Sequence, residues 1–146
     1  MDEFMKLTKS IQTILFLTSA FFTVAALSAQ TQEESEIHVS RMVVCESVEN
    51  HEPVGEKSTF ADTVSRIFCF TEIENARENT RVKHRWYYGE TLKAEVTLPV
   101  YSASWRTFSS KRMLPSWTGE WRVDLLDEKG AVLKSVHFRL GEQISE

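Results

Sequence analysis

The residues best suited to bind a ligand lie in one stretch of the chain, residues 105–117. Aromatic rings, cationic side chains and hydroxyl groups occur together there, and such a set can bind a carbohydrate or an anionic polymer through stacking and charge-assisted hydrogen bonds. A structural role is the alternative, because Arg106 and Lys111 can cover aromatic faces with their aliphatic stems or pair with acids such as Glu120 or Asp124. The candidate ligand-binding residues are Trp105, Arg106, Ser109, Lys111, Arg112 and Trp117.

The two cysteines, Cys45 and Cys69, fall in neighbouring predicted strands. In an oxidising compartment, facing cysteines on paired strands are expected to form a disulfide. Such a bridge would close a loop of ~25 residues and contribute roughly 3.5 kcal/mol through the entropy of the unfolded chain. The alternative is a pair of buried thiols that pack as small apolar groups.

No catalytic or metal-binding motif occurs in the sequence. The histidines are scattered one to a segment, at positions 38, 51, 84 and 137, and none belongs to an H-E-x-x-H or clustered Cys/His pattern. A G-x-S-x-G elbow and a phosphate-binding glycine loop are also missing. The sequence therefore predicts no catalytic residue, no metal site and no cofactor. A net charge of −4 also disfavours nucleic acid as a partner.

The first 29 residues have the pattern of a secretory signal peptide. Lys6 and Lys9 precede the apolar run Ile14–Leu27, and small residues follow up to Ala29. Cleavage near Ala29 would release a secreted or periplasmic protein. The alternative is an uncleaved anchor formed by residues 11–29, which would be the chain's contact with a membrane.

The rest of the chain predicts a single all-β domain. Residues 30–36 are polar and acidic, as in a flexible lead-in, and apolar residues recur at a spacing of two over residues 37–141. This spacing and the absence of an amphipathic helix predict an antiparallel β-sandwich of about seven strands, immunoglobulin-like by strand count. The predicted strands are Ile37–Val48, Val64–Ile73, Val82–Tyr88, Leu92–Val100, Trp105–Ser110, Trp121–Leu125 and Val132–Leu140.

Two more tryptophans and one histidine belong to the expected interior. Trp86 shares a strand face with Val82, and Trp121 shares one with Val123, so both indoles are predicted to fill the core. We expect His84, on the same face as Trp86, to be partly buried and to form local hydrogen bonds. His137 is expected to be exposed.

Several separate motifs, which agree with one bacterial family in their order along the chain, carry a resemblance to it. They are Glu52–Gly55, Phe68–Thr71, His84–Tyr88, Trp105–Lys111 and Leu114–Val123. Across Ile37–Leu140 the chain resembles the bacterial family catalogued as domain of unknown function 2914. The resemblance implies a small extracytoplasmic or appended β module, and it implies no activity, substrate or catalytic residue.

These observations favour an exported, non-catalytic binding module whose partner is an envelope protein or a cell-wall glycan. One alternative is a hydrolase-type enzyme whose groups meet only in three dimensions; convergence of His38, His84 and His137 with an acid in a pocket would indicate it. The other is a purely structural envelope component, for which an exposed and unguarded edge strand would be the sign.

Overall fold

A computed structural model describes residues 36–77 and 79–142 of the protein. The predicted signal peptide and residues 30–35 of the lead-in lie outside this part of the chain. Within it there are ten β-strands and no helix, and so no helix that could cross a membrane. The strands are β1 (His38–Cys45), β2 (Ser47–Glu49), β3 (Glu52–Val54), β4 (Thr59–Phe60), β5 (Arg66–Glu74), β6 (Thr80–Tyr88), β7 (Thr91–Val100), β8 (Trp105–Arg112), β9 (Gly119–Leu126) and β10 (Val132–Leu140).

Two main sheets pack as a sandwich. One sheet has the order β1-β5-β8 and the other β4-β10-β9-β6-β7, while β2 and β3 form a separate hairpin. All strand pairs are antiparallel except the short contact between β4 and β10. The predicted all-β antiparallel sandwich is therefore confirmed. The likeness to immunoglobulin domains in particular stays a prediction.

The structure has ten strands where the sequence pattern predicted about seven. The additional strands, β2, β3 and β4, have only two or three residues each, which is too short for an alternating pattern to be recognised. The predicted strand Ile37–Val48 is also interrupted at Glu46, whose amide N–H lies within hydrogen-bonding distance of the carbonyls of Val54 and Gly55. The chain leaves the sheet there to form the hairpin.

The core between the sheets is built around a group of aromatic side chains. Trp86, Trp121 and Phe138 are almost completely buried, and the Phe138 ring lies 6.1 Å from that of Trp86 and 5.9 Å from that of Trp121. Side chains of this size dominate the burial of a small domain. The predicted core positions of Trp86 and Trp121 are confirmed.

Ion pairs connect the hairpin of β2 and β3 to the outer face of the three-stranded sheet, which is the face that points away from the core. Glu52 of β3 pairs with Arg41 of β1 and with Arg106 of β8. Phe70 and Cys45, which alternation places on this outer face, are fully buried. The three-stranded sheet is therefore packed on its inner face and partly covered on its outer one.

The predicted disulfide between Cys45 and Cys69 is not formed in the structure, where both cysteines are free and buried. The strand register explains why. Cys69 lies opposite Val44 and Cys45 lies opposite Phe68, so the cysteines are one step out of register. Because successive side chains of a strand point to opposite faces, the two thiols lie on different sides of the sheet. The alternative of two buried thiols describes them correctly.

We expect both thiols to be free in the purified protein. Burial raises the pKa of Cys45 and of Cys69, so neither is expected to react quickly with iodoacetamide in the native state. After unfolding without a reductant, both should be alkylated, as shown by mass spectrometry. A mass gain of two hydrogen atoms on reduction, with no alkylation before it, would contradict this expectation.

Candidate functional site

The predicted ligand-binding residues do not form one surface. Alternation along β8 places Trp105, Ser109 and Lys111 on its inner side, whereas Arg106 and Arg112 lie on its outer side. The strand also spans ~20 Å from Trp105 to Lys111, at a rise of about 3.4 Å per residue. The structure therefore divides the set into separate environments.

Trp105 and Arg106 have structural contacts at the start of β8. The Trp105 ring packs edge-to-face on Tyr101, with their centroids 5.4 Å apart, and is partly buried against the core. The Arg106 guanidinium pairs with Glu72 at 3.2 Å and also with Glu52. Arg106 is thus engaged in ion pairs within the protein, which is the structural role given above as the alternative to ligand binding. Its partners are Glu52 and Glu72 rather than Glu120 or Asp124.

Ser109 lies in the interior, where it joins a hydrogen-bond network between the two sheets. Its Oγ accepts a hydrogen bond from Trp86 Nε1 at 3.0 Å and lies 2.7 Å from His84 Nδ1. The other ring nitrogen, His84 Nε2, lies 2.9 Å from Thr71 Oγ1. Because buried polar groups are costly unless they are bonded, this network stabilises the core, and Ser109 has no exposed face for a ligand.

His84 is more deeply buried than the sequence suggested, and its bonds cross between the sheets. Burial lowers the pKa of His84 to about 4. The imidazole is therefore neutral near pH 7 and can act as donor at one nitrogen and acceptor at the other. If Ser109 donates to Nδ1, His84 Nε2–H donates to the Thr71 hydroxyl, and both ring nitrogens are satisfied.

Two further members of the predicted set, Lys111 and Trp117, lie together with a residue that the sequence did not single out. The Lys111 ammonium is 5.0 Å from the centre of the Trp117 ring, and the Lys93 ammonium is 5.3 Å from the same centre. We call Lys93, Lys111 and Trp117 the Trp117 site. Strand β7 provides Lys93, the end of β8 provides Lys111, and the loop before β9 provides Trp117.

A β-bulge brings Lys93 to this position. Ala94 pairs with Trp86 and Leu92 pairs with Tyr87, which leaves Lys93 as the extra residue of β7. Bulges redirect a side chain relative to regular alternation, and they are common next to functional sites. The sequence pattern treats Lys93 as an ordinary outward-facing residue, so nothing local to the strand could have shown that it meets Trp117.

Trp117 itself is held firmly by its neighbours. Its backbone carbonyl accepts a hydrogen bond from Trp121 Nε1 at 3.0 Å, and the two rings lie 5.8 Å apart. The Trp117 side chain packs against the core while remaining partly exposed. A fixed indole beside the core gives both lysines a defined position at the surface.

The charges at this end of β8 are uncompensated. Among residues 36–77 and 79–142, no ion pair joins a carboxylate to Lys93, Lys111, Arg66 or Arg112. Partial burial, and then the charges of Lys93 and Arg66, lower the pKa of Lys111. The chain has a net charge of −4, and this end of β8 is a local cationic patch that favours an anion electrostatically.

The histidines do not converge at a common site. His38 and His137 are exposed on β1 and β10, whereas His84 lies between the sheets. In the described ranges, no three His, Cys, Asp or Glu side chains are grouped closely enough to hold a metal ion.

The edge strand of the larger sheet, β7, is guarded rather than open. It carries the bulge at Lys93, the charged Glu95 and the proline Pro99. Each of these features hinders pairing with a further strand. Strand β7 is therefore not the exposed and unguarded edge strand that would indicate a purely structural, self-associating component.

Comparison with protein families gives one match. The family described as a protein of unknown function (DUF2914) matches residues 79–140, which confirms the resemblance inferred from the sequence. The matched range contains the whole Trp117 site and His84, while the motifs Glu52–Gly55 and Phe68–Thr71 precede it. No curated protein matches the chain.

The buried His84 should make the stability of the fold depend on pH. Its folded-state pKa of about 4 lies below the ordinary value of 6.5, so between these values the unfolded chain binds a proton that the folded protein does not. Stability should therefore fall as the pH decreases from about 7 to about 4, and His84 should account for roughly 2–3 kcal/mol of that loss.

Urea unfolding of the wild type and of His84→Gln across this pH range tests the assignment. The variant should be less stable at neutral pH, because its amide cannot match both bonds of the imidazole, and it should show a shallower decline with acid. His137→Gln, at an exposed histidine, should keep the wild-type slope. Equal slopes for His84→Gln and the wild type would refute the role of His84.

Proposed function

We propose that this protein is an exported, non-catalytic binding module that holds an anionic cell-wall glycan at the Trp117 site. The observation that carries the proposal is the meeting of two ammonium groups, from Lys93 and Lys111, over one indole without a carboxylate partner in the described residues. Export rests on the signal peptide predicted from the pattern of residues 1–29. An envelope protein is the other partner class, and the test below separates the two.

The preference for an anion follows from the electrostatics of the site. Two like charges close to one ring repel each other, and each cation–π contact offsets this by only about 0.5–1 kcal/mol at an exposed position. A carboxylate or phosphate that bridges Lys93 and Lys111 would turn this repulsion into attraction. An ammonium group is a compact point charge without the planar fork of a guanidinium, so the two lysines do not require an anion of one fixed orientation and suit a flexible polymer.

The preference for a glycan follows from the indole and the loop around it. Trp117 is a partly exposed aromatic residue, and its amide N–H donates a hydrogen bond to the carbonyl of Leu114, an exposed apolar residue. Sugar rings have apolar C–H faces that pack on aromatic side chains, while their acidic substituents bind cations. An acidic sugar therefore uses both kinds of group that the site presents.

Isothermal titration with polygalacturonate tests the site, with the fully methyl-esterified polymer as the uncharged counterpart. We expect binding to the charged polymer and little to the ester, with affinity falling as salt is added. Lys93→Gln combined with Lys111→Gln should weaken binding by about tenfold or more, equivalent to about 1.4 kcal/mol. Trp117→Ala should also weaken it, because the lysines lose their common support.

Lys134→Gln, at an exposed lysine on β10, provides the matched control and should bind as the wild type does. Co-sedimentation with purified peptidoglycan sacculi extends the test to a natural wall polymer. Failure to bind both polygalacturonate and sacculi would refute the glycan proposal. Capture of an envelope protein that depends on Lys93 and Lys111 would assign the site to a protein partner instead.

Export makes a separate prediction about the processed chain. When the full-length protein is produced in a bacterium, the form recovered from the periplasm or medium should begin at Gln30, as determined by intact mass and N-terminal sequencing. Ala29→Arg, which places a bulky charge at the expected cleavage site, should slow the processing. Recovery of the uncleaved chain in the membrane fraction would favour the anchor alternative.

A further inference from the structure

A second unpaired cationic group lies on the opposite side of β8 from Lys111. Arg66 of β5 and Arg112 of β8 are directly opposite each other across the outer face of the three-stranded sheet. Both are exposed, and Arg66 Nη1 donates a hydrogen bond to Ser110 Oγ at 2.8 Å. Like charges directly opposite on neighbouring strands destabilise a sheet, so an anion bound between the two guanidinium groups would relieve their repulsion.

The contrast with the other arginines of that face is informative. Arg41 pairs with Glu52 and Glu56, and Arg106 pairs with Glu52 and Glu72. At the other end of the same face, Arg66 and Arg112 have no carboxylate partner among the residues described. The outer face is therefore neutralised where the hairpin covers it and cationic where it is open.

Aromatic side chains lie next to this arginine pair. The rings of Phe68 and Phe108 are 6.1 Å apart and tilted, and Phe108 is 42% exposed. Phe68 follows Arg66 by two residues, which is one side-chain repeat or ~7 Å along β5, whereas Phe108 lies two repeats, ~14 Å, from Arg112 along β8. We call Arg66, Arg112, Phe68 and Phe108 the outer-face surface.

We propose that the outer-face surface docks an extended acidic segment of a protein partner. A carboxylate of the segment lies between Arg66 and Arg112, where two guanidinium groups can donate charge-assisted hydrogen bonds to it. An apolar side chain two residues along the segment packs on Phe68, whose ring lies 6.1 Å from that of Phe108. The spacing matches because side chains on one face of an extended peptide recur every ~7 Å.

The same face argues against an anionic membrane as the occupant. A bilayer surface is broad, and it would also approach Glu52, Glu56 and Glu72, which lie along the remainder of the outer face or its hairpin. Carboxylates there reduce the attraction of a wide anionic surface, whereas a narrow peptide avoids them. The proposal does not depend on the Trp117 site, since the two groups of side chains lie on opposite faces of β8.

Fluorescence anisotropy with labelled, terminally blocked peptides tests the docking surface. The probe is a short threonine peptide with one glutamate and one leucine two positions apart, and its matched controls carry lysine for glutamate or serine for leucine. We expect the probe to bind the full protein about tenfold or more tightly than the lysine control. Arg66→Glu combined with Arg112→Glu should remove this preference, and Phe108→Ser should reduce binding.

Substitutions at these exposed positions should leave the fold intact, which circular dichroism and thermal unfolding can check; Arg112→Gln provides a milder variant. Because the charges of Arg66 and Lys111 interact, Lys93→Gln with Lys111→Gln should weaken peptide binding slightly, but it should leave the dependence on the leucine unchanged. Failure here is therefore distinguishable from failure of the glycan proposal. Equal binding of the probe and its lysine control would overturn the inference. Stronger binding to phosphatidylglycerol vesicles, lost in the Arg66→Glu and Arg112→Glu protein, would also overturn it in favour of a membrane.

Discussion

The alternation of side chains along paired strands is the constraint on which this structure depends. It directs Trp86 and Trp121 into a common core, where they meet Phe138, and leaves charged residues on the outer faces. The same rule separates Cys45 from Cys69, because residues one step out of register cannot face the same side of a sheet. It also divides the stretch from Trp105 to Trp117 into an inner and an outer set.

Burial then determines which of the candidate ligand-binding residues remain accessible to a ligand. Ser109 has a hydroxyl suited to a ligand, yet its position on the inner face of β8 requires that it pair with His84 and Trp86. An unpaired polar group in the core would destabilise the fold, so such a residue becomes structural once it is enclosed. Lys111, two residues further along the same face, reaches the edge of the sandwich and keeps its ammonium at the surface.

The distribution of charge is more informative than the net charge of −4. Most acidic side chains of the sheets serve as local partners, as Glu95 does for Lys83 and Arg85, and Glu52 for Arg106. The end of β8 is different, since cations lie on both of its faces without acids beside them in the described residues. This region is therefore where both proposals place an anionic partner.

The sequence by itself determined the fold class, the seven longer strands and the core positions of Trp86 and Trp121, because strand periodicity is a property of neighbouring residues. The short strands β2, β3 and β4 escaped prediction, since two or three residues do not show a period.

Only the tertiary structure decided which side chains meet. The bulge that turns Lys93 toward Trp117 and the register that sets Arg66 against Arg112 both arise from pairing between strands distant in the chain. The residues of one strand do not specify its register against a strand distant in the chain. A shift of that register by one residue would move each side chain to the opposite face of the sheet.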